Sequence, residues 1–70
     1  MKRYTVILTR EDDAYLVNVP ALPNIHTYGH SVEEALTNAQ EAIELYLSVL
    51  RDEGEPFPED VQTATVEVAA

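Results

Sequence analysis

The sequence predicts an α+β fold with the order β-β-β-α-β, and three observations carry that prediction. Ser31 to Gly54 repeats apolar residues at the helical spacing i, i+3, i+4, i+7. Lys2 to Val19 instead alternates apolar and polar residues on either side of an acidic turn. Thr63 to Val68 alternates again, after a proline-rich exit from the helix. Strands on both sides of one crossover helix make a two-layer domain, a single helix on a single sheet.

The first strand is Lys2 to Arg10, with Tyr4, Val6 and Leu8 on one face and Thr5, Ile7 and Thr9 on the other. Glu11-Asp12-Asp13-Ala14 is a hairpin turn, because aspartate tolerates turn geometry. The second strand, Tyr15 to Val19, stops at Pro20. Pro20-Ala21-Leu22-Pro23-Asn24 is a stiff connector whose Leu22 is expected to reach the core. Ile25 to Gly29 is a short third strand. Ser31 caps the helix and Glu34 completes a capping box. Val32, Ala35, Leu36, Ala39, Ala42, Ile43, Tyr46, Leu47 and Leu50 form its buried stripe. Glu33, Glu34, Glu41, Glu44 and Asp52 lie on the opposite side. Gly54 ends the helix and Pro56 prevents its resumption. Phe57 is expected to plug the end of the core, and Thr63 to Val68 to form the fourth strand. A right-handed crossover sets that strand beside the first, giving a mixed sheet of order 3-2-1-4 with one face covered.

Seventy residues make one domain with a small core, and without cysteine no disulfide can reinforce it. Association is the remaining common support. The uncovered sheet face must carry either Ile7 and Leu16 or the set with Tyr4 and Val17. The helix spans about 33 Å against about 26 Å for an eight-residue strand, so its end overhangs the sheet. Leu45 and Val49 lie on its flank. Ile7, Leu16, Leu45 and Val49 are therefore the expected surface of a homo-oligomer, a dimer or tetramer.

Thirteen acidic residues against four basic ones give a net charge of −9. Phosphate backbones would be repelled, so a basic protein partner is favoured over nucleic acid. Asp12 and Asp13 on the turn and Glu33, Glu41 and Glu44 on the helix are the candidate partner-binding residues. The helix acids lack balancing Lys or Arg four residues on. No catalytic residue or cofactor is expected. Ser31 is a cap, Ser48 lies on the helix surface, and two glycines cannot build a phosphate loop. His26 and His30 would stand about 13 Å apart on a strand, too far to share a metal ion. The acidic turn lacks the spacing of an EF-hand. Met1-Lys2-Arg3 precedes alternating residues rather than an apolar run. Neither a signal peptide nor a membrane span is expected, and the cytoplasm is the expected compartment.

Several segments together resemble the N-terminal domain of HicB-type antitoxins and the small stand-alone HicB-like proteins. They are Val19-Pro20-Ala21-Leu22-Pro23, Gly29-His30-Ser31-Val32-Glu33-Glu34-Ala35, Asn38-Ala39-Glu41-Ala42, Leu45-Tyr46-Leu47 and Gly54-Glu55-Pro56-Phe57-Pro58. The resemblance spans nearly the whole chain. It implies a pared-down ribonuclease-H-like fold. It also implies a HicA-like toxin as partner, a small basic mRNA interferase that the domain binds and masks. Asn24-Ile25 replace the Gly-Cys usual in the family; Asn also enters the left-handed region that glycine would supply. Full antitoxins continue into a DNA-binding domain. Residues 1–70 are expected to be the HicB-like domain alone, without a C-terminal DNA-binding domain. The alternative to toxin masking is a homo-oligomeric scaffold or small-ligand binder. Retained metal-dependent nuclease chemistry would need carboxylates converging from several strands, and the predicted strand interiors contain none.

Overall fold

The computed structural model describes all residues 1–70. Three strands and a helix follow one another: β1 (Ile7–Glu11), β2 (Ala14–Asn18), β3 (Thr27–Gly29) and α1 (Val32–Asp52). The strands form an antiparallel meander of order β1-β2-β3. Glu11 pairs with Ala14, so the hairpin loop is Asp12-Asp13 alone. Asp12 takes φ 53°, a left-handed value that aspartate tolerates better than most residues.

Pairing sets which face of the sheet is covered. Leu8 pairs with Val17 and Val17 with Thr27, and this row faces the helix. Thr9 pairs with Leu16 and Leu16 with Tyr28, and this row faces away. Of the two sets that could supply the bare face, the structure chooses Ile7 and Leu16.

Strand β1 starts later than the alternation suggested. In the observed register Val6 would oppose Val19 and Thr5 would oppose Pro20. The chain turns away there, with Leu22 N–H donating to Val19 O at 2.8 Å and Ile25 N–H to Leu22 O at 3.1 Å. Residues 2–6 therefore have no strand opposite them. The same two turns seat Leu22 in the core as expected, and hold Ile25 out of β3.

The core is Val17, Val19, Leu22, Ile25, Ala35 and Ala39. Gly29 is buried with them, which brings the total to only 7 of 70 residues, so much apolar surface stays uncovered. The helix lies chiefly over β3 and β2. Its written boundaries hold. Ser31 Oγ accepts from Glu34 N–H at 3.0 Å. The Glu34 carboxylate returns to His30 N–H at 2.8 Å, one residue before the position a standard capping box uses. At the other end Gly54 (φ 71°) donates to Arg51 O and Glu55 to Leu50 O, a Schellman motif.

Two expectations need correction. The buried stripe does not include Val32 and Leu36, which are exposed because no strand covers that flank of α1. The four-stranded sheet of order 3-2-1-4 is not formed either: residues 61–70 pair with no strand and are exposed throughout. The chain after α1 is tied down only as far as residue 60. Tyr4 Oη donates to Pro58 O, while Thr5 N–H and Oγ1 both donate to the Asp60 carboxylate, at 2.9 and 2.8 Å. Phe57 beside this anchor is half-buried. Beyond it the segment projects. The radius of gyration is 13.9 Å, against about 11 Å for a compact chain of this length.

Candidate functional site

Antiparallel pairing brings the β1–β2 turn to the end of the sheet where β3 finishes and α1 begins. His30 joins the two. Its ring Nδ1 lies 3.4 Å from Asp13 O, and its backbone N–H is held by Glu34. Its ring meets that of Tyr28 edge-on, with centroids 5.7 Å apart. A shallow hollow follows, lined by Glu11, Asp12, Asp13, Leu16, Tyr28 and His30. Glu33 and Glu34 stand in the first turn of α1. One end of the molecule thus carries five carboxylates next to the bare apolar face.

Asp12, Asp13 and Glu33 are brought to this end, and all three are exposed. Glu41 and Glu44 are not gathered with them: they lie about 12 and 17 Å farther along the helix axis. Glu44 stands at the rim of a groove with Lys2 and Gln40.

The four residues expected to mediate association fall on two surfaces. Ile7 and Leu16 lie on the bare sheet face, where Tyr28 joins them. Leu45 and Val49 are exposed on a flank of α1, where they line a hollow with Asn24, Ile25 and His26. His26 also borders Leu16 and Tyr28 around the β3 edge.

Sequence reading passed over three contributors. Tyr28 belongs to the bare-face patch, and alternation from Thr27 outward was the signal that could have found it. Asn38 Nδ2 donates to Tyr28 O at 2.8 Å and so ties the helix to the edge strand. Asp60 anchors the segment after the helix to Thr5. Two donations from Thr5 to the Asp60 carboxylate hold it below the usual carboxylate range: the backbone amide first, the side-chain hydroxyl second. No local pattern announces that contact, since 55 residues separate the partners. No three His, Asp or Glu side chains are grouped as a metal-binding cluster. No helix is long and apolar enough to cross a membrane.

Residues 4–69 match the family described as the HicB-like antitoxin of the bacterial toxin-antitoxin system. The chain belongs to the HicB-like antitoxin family. Among its relatives, a UPF0150 protein of Thermoplasma acidophilum is 48% identical over 59 residues, which is 83% of this chain and 86% of the relative. A UPF0150 protein of Archaeoglobus fulgidus is 46% identical over 52 residues, covering 74% of this chain and 75% of the relative. One from Synechocystis is 43% identical over 58 residues, covering 81% and 73%. No solved structure matches this HicB-like chain. The family match includes both the hairpin acids and the exposed segment after Asp60.

Proposed function

We propose that this HicB-like chain binds a small basic mRNA interferase of the HicA type and masks its RNA-cutting surface, by bulk and charge and without chemistry of its own. The observation that carries this reading is the acidic end. Glu11, Asp12 and Asp13 on the hairpin and Glu33 and Glu34 on the first helical turn lie at that end of a chain of net charge −9, with His30 bridging Asp13 and Glu34. Such a surface competes with phosphate for a basic groove and steers encounter from a distance. Tyr28 and Leu16 beside the acids offer the apolar anchor that exposed charges alone lack. Glu41 and Glu44 extend the acidic surface along α1 for a partner that reaches past the turn.

Titration calorimetry against a HicA-type toxin at increasing salt tests the proposal. A complex is expected at low salt, weakening as salt screens the charges. Asp12→Asn, Asp13→Asn and Glu33→Gln together should weaken it about 10-fold, since exposed pairs contribute about 0.5 kcal/mol each. Absence of any complex at low salt refutes toxin masking.

A second reading, a homo-oligomeric scaffold, is favoured by the bare patch of Ile7, Leu16 and Tyr28. Ile7→Glu, on the same face but outside the proposed toxin anchor, should then abolish the oligomer; an oligomer insensitive to this change refutes a sheet-face interface.

A further inference from the structure

We propose that two copies of this chain exchange their C-terminal segments. Residues 61–68 of each copy would complete the sheet of the other along the free edge of β1.

The first observation is an unfilled groove beside that edge. Tyr4, Val6, Leu36, Ile43 and Leu47 line a groove of about 460 Å³ between the unpaired residues that precede β1 and the flank of α1. It exists because the helix sits over β3 and β2, leaving the β1 side of the layer open. Leu36 is 45% exposed at a position the helical period assigns to the core.

The second observation is a segment with the complementary pattern and nowhere to put it. Ala64, Val66 and Val68 alternate with Thr63, Thr65 and Glu67, so one face is apolar. Val66 and Val68 are 84% and 77% exposed.

The third observation is that the chain's own segment is clamped just before it could pair. Asp60 lies in no strand, and its carboxylate takes both the backbone N–H and the hydroxyl of Thr5. Past this clamp residues 61–70 stay exposed and pair with nothing. A segment arriving from a second copy is free of that clamp and can present its valines inward.

The surface area fits the same conclusion. The chain exposes 5671 Å², while a folded monomer of this mass exposes about 4400 Å². The excess exceeds the roughly 800 Å² per partner that a stable interface of standard size buries. A reciprocal exchange about a two-fold axis covers both grooves and both segments at once.

Sedimentation equilibrium of the full chain tests this, with Val66→Asp and Val68→Asp as variants. The parent should be a dimer. Each variant should dissociate at least about 100-fold more readily, because a charge would have to enter the groove. Helical circular dichroism should stay at the parent level, since neither valine touches the folded body. Added salt should tighten the dimer, because two chains of charge −9 repel; a toxin complex has the opposite salt response, so the two proposals fail separately. The chain has no cysteine. In a Leu36→Cys, Val66→Cys double variant prepared from an equal mixture of heavy- and light-isotope chains, about half of the disulfide-linked peptides should therefore join heavy to light. Linkage confined to single chains, a parent monomeric at all concentrations, or a dimer unmoved by Val66→Asp each overturns the exchange.

Discussion

Replacing Gly29 by alanine should destabilise the chain by forcing the helix start and the end of β3 apart. Gly29 is buried where the end of β3 meets the first turn of α1. A Cβ there would lie 2.3 Å from Ala35 N, 2.7 Å from Ala35 Cα and 2.8 Å from Glu34 C. Ordinary contact begins at 3.4 Å, so helix and strand would have to part by about 1 Å. All three obstructing atoms are backbone, and no rotamer change can clear them. The helix start is also held by Ser31, by Glu34 and by Asn38 on Tyr28 O. Overpacking of this kind costs about 1–3 kcal/mol, occasionally more. The lost flexibility of the unfolded glycine returns only about 0.4–1 kcal/mol. A 70-residue domain holds roughly 4–10 kcal/mol in all. With that return subtracted, urea unfolding followed by circular dichroism should show a loss of about 1–2 kcal/mol, and thermal melting a midpoint lower by about 4–16 °C. Gly54→Ala is the comparison. That residue has φ 71° and nothing within 4 Å of its Cβ position, so only backbone strain of about 1–2 kcal/mol applies, and Asn should largely relieve it. An alanine variant at position 29 as stable as the parent would refute the close-approach argument.

Leu22 is only 1% exposed within a six-residue core, so Leu22→Ala should cost about 2–5 kcal/mol, and a loss under 1 kcal/mol in urea unfolding would show that the connector is not part of the core. Ser31→Ala removes the acceptor for Glu34 N–H and should cost about 1 kcal/mol, while Ser31→Asp should not. The Asp60 carboxyl titrates below its ordinary range, so its contribution is present at neutral pH and above, and is lost as pH falls through its folded value. The Thr5 amide resonance should follow that transition in NMR spectra and lose it in Asp60→Asn; an unchanged pH response in the variant would disprove the anchor.

Most of the fold could be read from local pattern. The helix start at Ser31, its stop at Gly54, the Asp12-Asp13 turn and the burial of Leu22 each depend on residues within a few positions of one another. What could not be read was partnership across the fold. The first strand alternates from Lys2, yet pairing begins at Ile7 because Pro20 and Leu22 carry the opposing chain away. The segment from Thr63 has every mark of a strand, and in one chain nothing pairs with it. The acidic residues were recognisable singly. Their division into a group at the turn and a pair farther along α1 depended on how the helix lies on the sheet.

Sequence alone determined that three strands precede one helix, that helix's caps, the hairpin turn, the negative charge and the membership of the HicB-like family, because those follow from neighbouring residues and composition. Tertiary structure decided which face of the meander the helix covers, that it leans toward β3 and leaves a groove beside β1, and that Asp60 meets Thr5. Those outcomes rest on packing between residues far apart in the chain. Propensity acts over a few residues; the close approach at Gly29 that seats the helix exists only once strand and helix meet.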